Sequence, residues 1–212
     1  MQNLPSDLYI TGTDTEIGKT FVTCALLRQA AEAGRRQVGM KPVASGCIET
    51  AEGWRSEDAL ALQQADGLDV SYALRNPYAL PLPAAPEIAA AQAGVEIALA
   101  PLLAAHADLR ASHPGVWLEG VGGWAAPLTA QLEQADLVRA LDIPVLMVVG
   151  LRLGCVHQAR VTQRAIVADG CRLVGWIANP IDPAMLRPAE NIDILTRVLG
   201  APPLQVMPRR AK

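Results

Sequence analysis

The stretch that most restricts this chain is Thr11-Gly12-Thr13-Asp14-Thr15-Glu16-Ile17-Gly18-Lys19-Thr20, because an apolar run precedes it and an amphipathic one follows. Leu8-Tyr9-Ile10 reads as a buried strand. Thr20 to Ala33 reads as a helix with Val22, Ala25, Leu26 and Ala30 on one face and Gly34 as its C-cap. A loop that joins a strand to a helix N-terminus turns backbone N–H groups and the positive end of the helix dipole toward anionic oxygens. Gly18-Lys19-Thr20 at that position predicts a nucleotide site, with Lys19 reaching the β- and γ-phosphates and the Thr20 hydroxyl ligating Mg²⁺. The general pattern has a glycine, four residues and then Gly-Lys-Ser/Thr; here Thr13 holds the first glycine position and Gly12 precedes it, so the loop is a longer variant.

Downstream, strands and helices alternate. Residues 37–43 read as a strand running up to Pro42, since the residue before a proline is pushed to extended geometry. Ser56 caps a helix that passes through Asp58, Leu60 and Leu62 to about Ala65. Pro86 opens a helix over 87–92, and a further one covers 97–107. Strands follow at 116–118, 145–149 and 173–178, with helices at 132–141, 157–168 and 189–199 and a short last strand at 204–207. Several of these strands are apolar without two-residue periodicity, which predicts a parallel sheet covered on both faces: an α/β, P-loop NTPase-type fold, with residues 1–212 as one domain.

Composition excludes other classes. A net charge of −3 argues against a nucleic-acid binder that works by neutralising phosphates. Residues 79–107 are low in charge but are broken by Pro81, Pro83, Pro86, Pro101, Glu87 and Glu96, so no membrane span is expected there. The N-terminus shows no basic and apolar secretory pattern, and Cys24, Cys47, Cys155 and Cys171 lack metal or disulfide-scaffold spacing; reduced thiols in a cytoplasmic protein are expected. Only three lysines occur, Lys19, Lys41 and Lys212, so general surface positive charge falls to arginine and an internal lysine answers a demand for a compact ammonium.

Glu119 ends an apolar strand and runs into Gly120-Val121-Gly122-Gly123, at the edge where open parallel sheets bind ligands. A carboxylate there completes a magnesium site with Thr20, and the glycines allow close approach. Lys41 ends its strand on the same edge, and Ser45 lies past the next turn. Asp58 on local grounds is a first-turn carboxylate favoured by the helix dipole. Cys155 and His157 lack a third orienting group for nucleophilic chemistry and read as residues near a helix start. Trp54, Trp117, Trp124 and Trp176 read as packing residues.

The run Gly12 to Thr20 resembles the GTDTxxGKT signature of the dethiobiotin synthetase family. Lys41-Pro42-Val43-Ala44-Ser45-Gly46, Glu119-Gly120-Val121-Gly122-Gly123-Trp124, Val148-Val149-Gly150-Leu151-Arg152-Leu153-Gly154-Cys155 and Gly175-Trp176-Ile177-Ala178-Asn179 are similar to that family in the same order across almost the whole chain. The resemblance implies an ATP-dependent ring closure of 7,8-diaminopelargonate with CO2 to dethiobiotin, through a carbamate and a carbamic-phosphoric anhydride. It assigns Mg²⁺ to Thr20, Asp58 and Glu119, overriding the local reading of Asp58. It makes Lys19 and Lys41 the catalytic charges and gives Thr15 and Ser45 to the diamine. Glu16, Ile17, Gly18, Phe21, Gly120, Val121 and Gly122 fall to ATP, and Asn179 and Pro180, with Pro208, Arg209 and Arg210, to the adenine end. It implies a homodimer in which Gly154, Cys155, Val156 and His157 of one protomer meet the substrate tail across the interface. His157 stands where the family often has Asn, and Asn191 where it often has Tyr, so tail recognition is expected to differ in detail. The rival reading of the same loop is a nucleotide-driven switch of the related P-loop ATPases. Those carry a second lysine at the front of the loop, where this chain has Gly12-Thr13-Asp14-Thr15.

Overall fold

The structure, a computed structural model, describes residues 4–208. It begins with β1 (Leu8–Gly12), the phosphate-type loop and α1 (Lys19–Glu32), followed by β2 (Val38–Met40). A series of short elements comes next: β3 (Val43–Ser45), β4 (Ile48–Thr50), β5 (Gly53–Arg55), α2 (Glu57–Asp66), α3 (Tyr72–Arg75), β6 (Tyr78–Leu80) and α4 (Pro86–Ala93). Regular alternation then resumes with α5 (Leu99–Ser112), β7 (Val116–Glu119), α6 (Gln134–Leu141) and β8 (Val145–Leu151). The chain closes with α7 (Cys155–Ala168), β9 (Leu173–Pro180), α8 (Pro188–Leu199) and β10 (Gln205–Val206).

Six strands make one sheet in the order β10-β9-β8-β1-β7-β2, and every pairing in it is parallel. Successive side chains of a strand point to opposite faces, and here both faces are apolar. Leu8, Ile10, Leu146 and Val148 meet Val22, Leu26 and Leu27 of α1 and Leu62 of α2 on one side. Tyr9, Val145, Met147 and Val149 meet Leu102 of α5, Leu137 of α6, Ile166 of α7 and Leu195 of α8 on the other. The α/β expectation holds, and the carboxyl ends of β1, β2 and β7 come together at one edge of the sheet.

The segment between Lys41 and Pro86 departs from the sequence reading. The strand expected over 37–43 ends at Met40, and Val43–Ser45 pairs instead with β6 in a separate two-stranded sheet. Pro42 has no N–H to continue the ladder, so the chain leaves the main sheet there. The outer edge of β2 is then closed by side chains. Gly39 N–H donates to Asp66 Oδ2 at 2.8 Å, and Arg75 Nη1 donates to Gly39 O at 2.6 Å. Arg75 and Asp66 form an ion pair that is 0% and 2% exposed. Trp117, Trp124 and Trp176 are buried as expected, but Trp54 is 40% exposed on the β4–β5 hairpin and is not a core residue. The four cysteines are buried and unpaired. Among the described residues no helix is long and apolar enough to cross a membrane.

Candidate active site

The loop ahead of α1 takes its shape from two left-handed residues, Glu16 at φ 59° and Gly18 at φ 82°. Gly18 is required twice over: by that φ, and because a Cβ on it would stand 2.3 Å from Nδ2 of Asn179. The Asn179 amide instead donates to Ile17 O at 2.7 Å, so β9 holds the loop from behind. At the front, the Asp14 carboxylate accepts from Thr15 N at 2.8 Å and Gln158 Nε2 at 3.0 Å and pairs with Arg152. The loop is thus fastened on both sides.

Lys19 is 7% exposed, and its Nζ donates to Asp14 O at 2.9 Å. Burial, with the nearby Lys41 charge, outweighs the attraction of Glu119, Asp58 and Asp14 and brings its ammonium down to about 8.

Lys41 meets different surroundings. Its Nζ donates to Glu119 Oε1 at 2.8 Å and Gly120 O at 3.1 Å and pairs with Asp58 Oδ2 at 2.8 Å. All three ammonium donors are therefore in use. Burial alone would lower its pKa, but the Glu119 and Asp58 carboxylates reverse this and raise it above the ordinary lysine value. Asp58 shows the mirror image: burial pushes its carboxyl up, and Lys41, with Thr20, holds it below the usual range. The Thr20 Oγ1 sits 2.7 Å from Asp58 Oδ1 and 2.8 Å from Glu119 Oε1. One hydroxyl proton serves one of these oxygens at a time. Glu119 Oε2 is buried with no hydrogen-bond partner.

Asp58 does lie in the first turn of α2, as its local reading holds, but its side chain also faces Thr20, 38 positions away, and Lys41. Backbone support for Lys41 comes from residues that sequence patterns did not single out. Lys41 N donates to Arg75 O at 2.8 Å, and Asn76 Nδ2 donates to Lys41 O at 2.7 Å. Nothing in the four-residue α3 marks Arg75 as buried; alone it reads as a surface arginine.

A cavity of about 860 Å³ opens beside these groups and brings together Thr15, Glu16, Gly18, Lys19, Thr20, Phe21, Lys41, Ser45, Asp58, Val121 and Gly122. Pro83, Ala84, Ala85 and Pro86 also line it, an apolar wall whose proline density was the available signal. Gly154, Cys155, Val156 and His157 are not among the lining residues. Gly154 caps α7 at φ 94°, Cys155 is buried, and His157 is exposed. Asn191 Nδ2 donates to O of Arg187, the N-cap of its helix, at 2.9 Å. Pro180 follows Asn179 at the end of β9 and Pro208 is exposed. Arg209 and Arg210 lie outside the described residues.

The donor set around Thr20 suits a hard cation. It offers two carboxylates and a hydroxyl, the oxygen ligands that Mg²⁺ prefers while it keeps part of its water shell. The partnerless Glu119 Oε2 supplies an unspent acceptor in the same place. Among the described residues no group of three or more His, Cys, Asp and Glu is gathered as a metal site, so any such site here depends on the Thr20 hydroxyl.

The family model described as AAA domain matches residues 6–212. The chain is 59% identical over 197 residues to a Xylella fastidiosa protein, covering 93% of this chain and 87% of that one. It is 58% identical over 198 residues to one from Xanthomonas oryzae pv. oryzae, covering 93% and 88%. Both relatives are named ATP-dependent dethiobiotin synthetase BioD. Among solved structures, the MinC:MinD cell division complex of Aquifex aeolicus matches with TM-score 0.58 at 16% identity, over 98% of this chain and 83% of that chain. A ParA family ATPase from Chlorobium tepidum matches with TM-score 0.56 at 15% identity, over 99% and 86%. At such identities these likenesses speak for the P-loop α/β fold alone. Identity of 59% and 58% over 93% of the chain to two relatives of that name shows the family: this chain belongs to the ATP-dependent dethiobiotin synthetase family.

Proposed function

We propose that this protein condenses 7,8-diaminopelargonate with CO2 at the cost of ATP, giving dethiobiotin, ADP and phosphate. One substrate amine adds to CO2, forming an N–C bond and losing a proton, which leaves a carbamate. A carbamate oxygen attacks the γ-phosphorus of ATP, and the bond to the ADP oxygen breaks. The second amine then attacks the carbonyl carbon of the mixed anhydride, loses a proton and expels phosphate as the ring closes.

The observation that carries the reading is the second internal lysine, locked as an ammonium at the rim of the phosphate-site cavity. A lysine with a raised pKa does not accept the amine proton; it supplies a fixed positive charge where carbamate and phosphoryl oxygens accumulate negative charge. Lys19 supplies a second such charge from the loop, and the backbone amides at the start of α1 add to it. Thr15 and Ser45 place hydroxyls in the same cavity, within reach of a polar diamine. Thr20, Asp58 and Glu119 are the residues that would hold Mg²⁺, which when bound neutralises phosphate charge and orients the γ-phosphoryl group. Asn179, whose amide fastens Ile17, sits between the loop and Pro180, the position proposed for the adenine end.

Gly154 to His157 lie outside the cavity of their own protomer, which fits a homodimer in which a partner's helix N-terminus receives the substrate carboxylate. A single domain working in the cytoplasm completes this reading.

The test supplies ATP, Mg²⁺, bicarbonate and 7,8-diaminopelargonate and looks for dethiobiotin by mass spectrometry. ATP hydrolysis without ring product would overturn the synthetase reading in favour of a nucleotide-driven switch.

A further inference from the structure

We propose that Gln134, with Tyr9, is the positioning residue that sets the glycine loop 120–126 against the phosphate loop and so shapes the diamine end of the cavity. The inference rests on the synthetase reading for the identity of the diamine; the latch itself is geometric.

Gln134 is the first residue of α6 and is 1% exposed. A buried primary amide must find partners for both its ends. Its Oε1 accepts from Tyr9 O–H at 2.6 Å and from Val121 N–H at 3.1 Å. Its Nε2 donates toward Gly123 O at 2.8 Å, Ala126 O at 3.1 Å and Trp124 O at 3.2 Å. One side chain thus holds four backbone groups of a single loop, and Tyr9 orients the amide. Burial, with the Glu119 charge nearby, pushes the Tyr9 phenol far above its ordinary value, so it acts as a donor.

Gly120, Gly122 and Gly123 bring no side chains to the loop, which besides the latch is held by Gly120 N–H on Ile10 O, Ala126 N–H on Gly123 O and the Trp124 indole on Asp169 Oδ2. Gly120 is compelled by the latch: a Cβ there would stand 2.5 Å from Gln134 Oε1 and 2.8 Å from the Tyr9 hydroxyl. Trp124 packs edge-on to the Tyr9 ring at 6.1 Å between centroids, closing the latch from the apolar side. The far side of the loop works on the cavity. Val121, Gly122, Gly123 and Ala126 line it, and a Cβ on Gly122 would lie 3.7 Å from Thr15 Oγ1. Gly120 O also accepts from Lys41 Nζ. Gln134 touches neither the cavity nor the lysines; it acts through the loop.

The decisive measurement compares wild type, Gln134→Leu and Tyr9→Phe for dethiobiotin formation, diamine KM, kcat and ATP Kd, with active sites titrated. Leu removes the partner of the Val121 N–H and the bonds to the Trp124 and Ala126 carbonyls, leaving Gly123 O with only the Ala126 N–H, so diamine KM is expected to rise at least about tenfold while ATP Kd changes less than about twofold. Tyr9→Phe removes one bond and is expected to raise diamine KM by about threefold. A merely structural role would lower the titrated fraction of active protein and leave KM unmoved. Unchanged diamine KM in Gln134→Leu overturns the proposal, as do equal losses toward ATP and diamine. Should that variant fail to fold, unchanged diamine KM in Tyr9→Phe overturns it alone. Wild type that makes no dethiobiotin overturns the synthetase reading and this inference with it, which separates the two failures.

Discussion

Lys19 and Lys41 lie within reach of each other's charge, yet the fold treats them in opposite ways. Around Lys19 there are backbone dipoles and burial but, among the described residues, no carboxylate in contact, and the cost of desolvation brings its ammonium to about 8. Around Lys41 there are two carboxylates and a carbonyl, and the ammonium is held more firmly than in water. A buried ammonium that meets a carbonyl rather than a carboxylate gains from an added anion; a charge buried between two carboxylates is part of the scaffold. In the proposed function the first receives phosphate. The second is a fixed point against which a substrate can be placed. The difference follows from the strands: Lys19 meets a backbone carbonyl of the loop after β1, whereas Lys41 directly follows β2 and Glu119 ends the neighbouring β7.

The largest effect is expected on the locked side. Arg75→Met removes one partner of a fully buried ion pair and strands Asp66, at a cost of about 3–5 kcal/mol. Urea unfolding measures this, and a loss below about 1 kcal/mol would show that the edge of β2 does not depend on the pair. Next comes Lys41→Gln, which keeps a donor but removes the charge. Turnover should fall about 10²- to 10³-fold with ATP affinity nearly unchanged. Loss of ATP binding alone would erase the contrast, because both lysines would then serve the nucleotide. Lys19→Gln tests the receptor side: its ATP Kd is expected to weaken by about 10- to 100-fold, the worth of a hydrogen bond to a charged group.

The smallest effect concerns pH. Bound phosphate favours the ammonium of Lys19, so its pKa in the complex lies above the value of about 8 in the free protein. Above pH 8 the free protein has lost a proton that the complex retains, so binding must take one up and affinity falls. Between pH 7 and pH 9 the ATP Kd should weaken by about tenfold. Calorimetry in buffers of different ionisation enthalpy should show proton uptake at pH 9 and little at pH 7. The dependence should vanish in Lys19→Gln, and its persistence there would assign it to another group.

Much of the scaffold was legible before any coordinates. The apolar runs at 8–10, 116–118 and 145–149 are β1, β7 and the body of β8, because a strand buried on both faces has little choice of residue. Ser56 caps α2 through Ala59 N at 3.3 Å, as its position implied. The segment 43–80 was much less legible. Its strands are three residues long and its α3 four, too short for periodicity to register. Asp58 is the instructive case at the site. Its sequence neighbours explain a carboxylate in a first helical turn, while Lys41 and Thr20, which give it work, are distant in the chain.

The sequence by itself determined that a phosphate loop opens α1, that Lys41 and Glu119 stand at strand ends on one edge, and that the chain resembles one family throughout. These are statements about neighbours along the chain, where spacing and residue type report backbone shape and burial directly. Tertiary structure alone decided that Lys41 is locked while Lys19 waits, that Arg75 seals the edge of β2, and that Gln134 holds the loop beside Glu119. The deciding contacts join residues 36 positions apart for Gly39 and Arg75, 78 for Lys41 and Glu119 and 125 for Tyr9 and Gln134, set by parallel register and close packing, while Gln134 reaches its loop across 8 to 13 irregular positions. Local pattern carries no record of register, and the charge state of a buried lysine is a property of what register brings to it.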